Sequence, residues 1–168
     1  ENKWVDVVVT TGATLTHDLG EALGYRHYQG RADADDAALH KKGFDRIYES
    51  YMPNEIYEGM EDFIDKNFEK LKEKKSIKEF LWELGRLTPN KSILKACFEN
   101  KIPVFCPAIS DSGIGLMIWG QLAKGKQVET RAFEDLKEII DIAWTARKAG
   151  VIYFGGGVPK NYIQQAMQ

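Results

Sequence analysis

The sequence has little cysteine and no excess of either charge. Cys97 and Cys106 are its only cysteines, too few for a disulfide framework, so we expect two reduced structural thiols in a cytoplasmic protein. The net charge of −2, from 23 basic and 25 acidic residues, argues against nucleic acid as a partner. The apolar runs are too short for a membrane span, and no signal peptide is expected before the first predicted strand, so no membrane partner is expected.

Several common functional motifs are also absent. No turn matches G-x-G-x-x-G or G-x-x-x-x-G-K-[ST], the usual nucleotide fingerprints. There is no G-x-S-x-G, and Ser110 and Ser112 have no base beside them in sequence, so a serine hydrolase is not indicated. No metal-type pairing accompanies the two cysteines, and we expect no metal.

The chain contains enough apolar sequence for one folded domain over residues 1–168, since 43% of its residues are hydrophobic. Three nearly continuous apolar runs predict buried strands at Val5–Thr10, Val104–Cys106 and Val151–Phe154. A turn of small residues and a helix follow each run. This order predicts an α/β fold, with a parallel sheet covered by helices on both faces.

Helix signals are clear in the rest of the sequence. Leu15, Leu19 and Leu23 predict a helix that stops at Gly24. Ser76 and Glu79 match a capping box. Further helices are predicted from Asp35 or Asp36, after Pro53, at Ser92–Glu99, after the segment 111–115 and through Leu122, at Phe133–Lys148 and from about Lys160, while Tyr25–Asp36 is predicted to be a loop.

Candidate ligand-binding residues lie in the turns after the three predicted strands. In open α/β sheets, ligands bind outside the carboxyl ends of the strands, which selects Thr10–Thr14, Ala108–Gly115 and Gly155–Lys160. Small residues let backbone N–H groups approach a phosphate, and the following helix adds partial positive charge. A dinucleotide or phosphate ligand is one interpretation of these turns. For Gly155–Gly157, a simple tight turn is the other.

Single polar residues leave further alternatives open. Asp111 could accept from a ribose hydroxyl or an amine, or it could cap a helix. His17 and Glu21 share a helix face and could do acid–base work, bind a metal or face solvent. The acidic group at 33, 35 and 36 could attract a polyamine or belong to a solvated loop. His27 and His40 are expected to be exposed, and the four tryptophans to lie in the core or an interface.

Four ordered motifs together resemble a known family. VVTTGATLTHDL (8–19), GFDRIY (43–48) with PNE (53–55), PVFCPAISDSGIG (103–115) and GGGVPKN (155–161) are similar to deoxyhypusine synthase, especially its archaeal branch. The resemblance covers nearly the whole chain. It implies a Rossmann-like fold that binds NAD, in a homotetramer whose active sites are shared between subunits.

The resemblance also implies a reaction and its partners. Spermidine is oxidised by NAD, 1,3-diaminopropane leaves, and the aminobutyl group passes through an imine on an enzyme lysine to a lysine of the hypusine-bearing translation initiation factor. The family's lysine lies in a Trp-Gly-Lys segment, whereas Trp119 and Gly120 are followed here by Gln121. No catalytic residue is therefore assigned in this chain, Lys160 included. We expect a fragment that lacks the N-terminal region and the lysine segment and is inactive alone.

Site residues carry over from the family one at a time. Thr11, Gly12 and Ala13 match its first NAD-contacting turn, and Asp111 and Gly156 match NAD-contacting residues of the other two turns. The polyamine positions depart from the pattern: Thr16 and His17 replace two acids, Leu116 replaces an acid, and Asn161 replaces a histidine. His17 is assigned both to the NAD site and to the polyamine site. Two alternatives remain. One is homospermidine synthesis with putrescine as acceptor, and the other is a non-catalytic module that binds NAD or polyamine.

Overall fold

A computed structural model describes residues 3–168 of the chain. Within that range, eight helices and five short strands follow one another. They are β1 (Val8–Val9), α1 (Gly12–Ala22), β2 (Tyr28–Gln29), α2 (Asp36–His40), β3 (Phe44–Ile47), β4 (Ser50–Pro53), α3 (Glu55–Leu71), α4 (Ile77–Leu87), α5 (Ile93–Asn100), β5 (Val104–Phe105), α6 (Gly113–Ala123), α7 (Ala132–Thr145) and α8 (Val158–Ala166).

Strands β1 and β5 form a parallel pair, as the sequence predicts. Val8 is in register with Val104 and Val9 with Phe105. The ladder extends one bond further at each end, because the Val8 amide donates to the Pro103 carbonyl at 3.0 Å and the Thr10 amide donates to the Phe105 carbonyl at 2.9 Å. A parallel pair ends both strands at the same edge, so the turns that follow β1 and β5 are brought together.

Helices cover both faces of this pair, which confirms the predicted α/β class. Side chains alternate across a strand, so Val104 and Phe105 point to opposite faces. Val104 joins the larger core, with buried side chains from α1, α3, α4, α5 and α6. Phe105 joins a smaller core with Ile139 of α7 and Ala166 of α8.

The third predicted strand, Val151–Phe154, is not formed. Within the described residues this segment has no strand partner, and Ile152 and Phe154 are 75% and 96% exposed. The preceding helix also ends early, at Thr145 rather than Lys148. A β-branched and aromatic run favours a strand only where a neighbour pairs its backbone and a layer covers its side chains. The described residues provide neither.

A small antiparallel sheet was not predicted from the sequence. Strands β2, β4 and β3 lie side by side in that order, and β2 lies inside the segment predicted to be a loop. Its residues Tyr28 and Gln29 are exposed, and a two-residue strand is too short to show the alternation that reveals a strand in sequence. Tyr48 adopts a positive φ of 53° in the tight turn between β3 and β4.

Most helix signals are confirmed at their caps. The Ser76 hydroxyl accepts from the Glu79 amide at 3.2 Å, and the Glu79 carboxylate accepts from the Lys75 amide at 2.9 Å, so the capping box closes one residue further out than expected. Asp35 caps α2 through the Ala37 amide. Gly24 follows α1 with a φ of 103°, a conformation suited to glycine.

The tryptophans are less buried than expected. Trp82 is half-buried and its indole N–H donates to the Ile102 carbonyl at 2.9 Å. Trp4, Trp119 and Trp144 are 87%, 65% and 76% exposed, so a place in the core of this chain is wrong for these three. Their assignment to an interface stays a prediction.

Candidate functional site

Two of the three predicted turns meet at the carboxyl edge of the parallel strands. After β1, the Thr11 hydroxyl accepts from the Thr14 amide at 3.1 Å and begins α1. After β5, the Ser112 hydroxyl accepts from the Gly115 amide at 3.1 Å and donates to the Ile109 carbonyl at 2.6 Å. Two capped helices, α1 and α6, therefore start close to each other, and their N-terminal partial charges point toward the same edge.

The cap of α6 decides one of the alternatives for Asp111. Ser112 caps the helix, so the helix-cap interpretation of Asp111 is wrong. The Asp111 amide donates to the Ala108 carbonyl, while its exposed carboxylate makes no hydrogen bond to a described residue. Asp111 can therefore receive a hydroxyl or amine donor, and its role toward NAD stays a prediction.

Thr16 and two glycines fasten the two turns together. The Thr16 hydroxyl donates to the Gly12 carbonyl at 2.9 Å and accepts from the Ile114 amide at 3.3 Å. A Cβ on Gly12 would lie 2.6 Å from the Ser112 hydroxyl oxygen, and a Cβ on Gly113 would lie 2.6 Å from the Thr16 methyl. Only glycine permits this approach at either position. Thr16 is 5% exposed with its hydroxyl fully engaged, so it has a structural role, and its assignment to a polyamine stays a prediction.

The third turn makes no hydrogen bond to this pair of turns among the described residues. Gly155 and Gly157 have positive φ values of 82° and 81°, which supports the tight-turn interpretation. A Cβ on Gly156 would meet nothing within 4 Å, and among the described residues no hydrogen bond joins this turn to the other two. Gly156 and Asn161 are exposed. The structure thus brings Thr11, Gly12, Ala13 and Asp111 to one edge but does not bring Gly156 into contact with them.

His17 belongs to a hydrogen-bonded group that the sequence did not reveal. Its Nδ1 lies 2.9 Å from Nε2 of His27, whose Nδ1 lies 3.0 Å from a carboxylate oxygen of Glu21. The two rings meet edge to face, with centroids 4.9 Å apart. The expectation that His27 is exposed is therefore wrong: its side chain is 17% exposed. Burial lowers the pKa of His17, His27 lowers it further, and Glu21 opposes them.

Asp18, the next residue of α1, connects this helix to the start of α5. Its carboxylate accepts from the Ile93 amide at 2.9 Å and from the Leu94 amide at 3.4 Å, which satisfies the first turn of α5. Burial raises the pKa of Asp18, the hydrogen bonds from Ile93 and Leu94 oppose that rise, and Glu21 adds to it. No local sequence signal indicates this contact, because the partners are 75 and 76 residues apart.

We expect Asp18→Asn to remove part of the pH dependence of stability. A carboxyl whose folded pKa is raised stabilises the native state below its unfolded pKa, and that contribution is lost as pH rises through the folded value. Wild type should therefore lose stability relative to Asp18→Asn as pH rises above the ordinary Asp range. Urea unfolding from pH 4 to pH 7 measures this. Asp62→Asn, at an exposed position on α3, is the control and should track wild type. A constant gap between wild type and Asp18→Asn would contradict the raised pKa.

Two cavities lie away from the predicted ligand residues. One is an open groove of about 1070 Å³ between the end of α3 and the segment 122–131, lined by charges of both signs. The other, of about 130 Å³, is lined by Ile77, Pro107, Ala132, Phe133, Asp135, Leu136 and Tyr162. In the second, buried Asp135 accepts from the Lys78 amide at 2.9 Å, so it satisfies the start of α4 and docks α7 on it. Burial raises the pKa of Asp135 and takes that of Tyr162 to about 12.

Within residues 3–168, no cluster of three or more His, Cys, Asp or Glu side chains could hold a metal ion. Over the same residues, every helix is too short or too polar to cross a membrane.

Together these features define an α/β protein with paired, glycine-bearing turns at the carboxyl edge of a parallel sheet. The chain belongs to the deoxyhypusine synthase family, whose model, described as "Deoxyhypusine synthase", matches residues 1–168. It is 43% identical to "Probable deoxyhypusine synthase 1" of Methanosarcina mazei and 40% identical to "Probable deoxyhypusine synthase 2" of Archaeoglobus fulgidus. Each match covers 98% of this chain and 52% or 55% of the relative, so the chain spans about half the length of these relatives.

Proposed function

We propose that the protein carrying this chain is an NAD-dependent transferase that moves the aminobutyl group of spermidine to a lysine of the hypusine-bearing translation initiation factor. The family match over residues 1–168 is the observation that carries this proposal. The chain itself contributes a single NAD-binding domain with part of the polyamine site. The lysine that forms the imine is assigned to the part of the protein outside this chain.

The paired turns suit a dinucleotide. Thr11, Gly12 and Ala13 lie at the start of α1, and Asp111 lies just before α6. The helix-start amides that Thr11, Thr16 and Ser112 do not already occupy are available for phosphate oxygens. The Asp111 carboxylate has no partner among described residues and can accept from a ribose hydroxyl. Gly156 and His17 complete the proposed NAD contacts. When bound, NAD takes up the hydride that leaves the amine substrate.

The proposed polyamine contacts contain no carboxylate. Thr16 is buried with its hydroxyl engaged, Leu116 is apolar and 60% exposed, and the remaining two positions are His17 and Asn161. Recognition of an ammonium group by opposite charge is therefore weaker than a site with acids would provide. Because these positions depart from the family pattern, homospermidine synthesis with putrescine as the acceptor is kept as a second candidate. A non-catalytic module that binds NAD or polyamine is the third.

The exposed side of α6 supports the proposed homotetramer. Leu116, Trp119 and Leu122 recur every three residues along this helix and are 60%, 65% and 47% exposed. A row of large apolar side chains of this kind is typical of a surface that is covered in an assembly. We propose that it packs against another subunit of a cytoplasmic enzyme.

Product analysis of the full-length protein tests the proposal. The protein is incubated with NAD and spermidine, with the translation factor or putrescine added in turn. We expect release of 1,3-diaminopropane and an aminobutyl mass gain on one lysine of the factor. Homospermidine without modified factor would establish the second candidate. Absence of turnover with both acceptors, despite NAD binding measured by calorimetry, would leave the binding module.

A further inference from the structure

Glu21, His27 and His17 form a line of three hydrogen-bonded side chains. Glu21 and His17 lie one turn apart on α1, and His27 returns from the segment after the helix to bridge them. Both contacts are short, at 3.0 Å and 2.9 Å between the heavy atoms. The line ends at His17, beside the fastened turns.

The proton positions along this line follow from its chemistry. An ionised carboxylate can only accept, so Nδ1 of His27 carries the proton that Glu21 accepts. In a neutral His27, Nε2 is then bare and must accept, so His17 donates from its own Nδ1. Nε2 of His17 is left without a proton. The line therefore selects one tautomer of His17.

The bare Nε2 atom of His17 is open to an incoming group. It has no hydrogen bond to a described residue. Among the described residues that are not exposed, the fully buried side-chain N and O atoms without a partner are Asn54 Oδ1 and Asp135 Oδ1, so His17 Nε2 is not fully buried. The neighbouring Asp18 is turned away and engaged by the Ile93 and Leu94 amides. The titratable groups that act on His17 are then His27 and Glu21.

We infer that Glu21 and His27 are positioning residues that hold His17 as the Nδ1–H tautomer, so that its Nε2 accepts a proton from an ammonium group of the polyamine. The inference rests on the proposed function. In this step the substrate N–H bond breaks, an Nε2–H bond forms, and the nitrogen regains its lone pair; no electrons are lost. The amine needs that lone pair before its neighbouring carbon can release a hydride. The imidazolium formed on His17 is stabilised by Glu21 through His27.

Histidine-labelled ¹⁵N NMR of the full-length protein tests the tautomer without relying on activity. We expect His17 to be protonated on Nδ1 at pH 8 and its Nε2 resonance to move when spermidine is added. His27→Asn, too short to bridge Glu21 and His17, should abolish the tautomer preference. His40→Asn, at an exposed histidine in α2, is the matched control and should leave it unchanged.

Turnover distinguishes this inference from the proposed function. We expect His27→Asn to lower kcat by about tenfold or more and to displace the acidic limb of the pH profile of kcat. KM for spermidine should change less. His40→Asn should leave kcat and its pH profile unchanged. An Nε2–H tautomer in wild type would overturn the inference even if turnover is normal. A correct tautomer without transfer to either acceptor would overturn the proposed function instead. If the Nε2 resonance of His17 does not move when spermidine is added, the proposed proton transfer to His17 is overturned.

Discussion

Replacing Gly115 by alanine is expected to destabilise the protein by about 2–3 kcal/mol and to weaken NAD binding at least tenfold. A Cβ at this position would lie 2.8 Å from the Ile109 carbonyl oxygen and nearer still to that of Ser110. Both are backbone atoms of the turn that carries Asp111, so they cannot rotate away. Relief of the clash must move the turn or break the bond between the Gly115 amide and the Ser112 hydroxyl. Urea unfolding and NAD titration calorimetry on the full-length protein measure the two effects.

Gly120→Ala is the matched control because it lies on the same helix. A Cβ there would meet nothing within 4 Å, so the higher helix propensity of alanine should stabilise the protein by about 0.5–1 kcal/mol. NAD affinity should stay at the wild-type value. Equal stabilities for the two variants would contradict the close packing of the turn after β5. Loss of stability without loss of NAD affinity would instead remove this turn from the proposed cofactor site.

Phe105→Ala is expected to lower the free energy of unfolding by about 3–5 kcal/mol. Phe105 is fully buried and lies in the smaller core, where Ile139 of α7 and Ala166 of α8 contact the sheet. Truncation removes the fully buried β5 side chain that packs with these two helices and leaves a cavity. Chemical denaturation gives the magnitude. Hydrogen exchange should show the earliest loss of protection in α7 and α8.

The same substitution at an exposed phenylalanine serves as the comparison. Phe133 is 83% exposed, and Phe133→Ala should change stability by less than about 0.5 kcal/mol. If protection is lost evenly across α1, α3 and α4 as well, the two faces of the sheet do not form separate cores. A loss for Phe105→Ala as small as that for Phe133→Ala would contradict its burial.

Much of the site could be predicted because its signals are local. Thr11 and Ser112 cap helices through amides three residues away, and small residues mark the turns after β1 and β5. The partners of His17 and Asp18 carry no such signal. His27 follows the end of α1 and folds back to reach His17, ten residues before it, and Asp18 caps a helix 75 residues away. Such contacts depend on where whole helices pack.

For the segment Val151–Phe154, the sequence indicated a strand that the structure does not form. Its residues have the composition of a buried strand, yet Ile152 and Phe154 face solvent in the described structure. Side-chain preferences indicate which structure a segment favours when a neighbouring strand pairs its backbone and a packed layer covers its side chains. They do not report whether either is in place.

The sequence by itself determined most of the helices and caps and the family, since these depend on neighbours within a few residues or on motifs read in order. The parallel pair was predicted from the order of apolar runs and helices, although its two strands are distant in sequence. Tertiary structure alone decided three things: that Thr16 fastens the two turns, that Ser112 rather than Asp111 caps α6, and that Glu21 reaches His17 through His27. The Thr16 contact joins α1 to a residue 98 positions away, and the free energy of that approach comes from burial of a shared core rather than from any local preference. The other two depend on the path that the backbone takes before α6 and after α1, which the residue types alone did not fix.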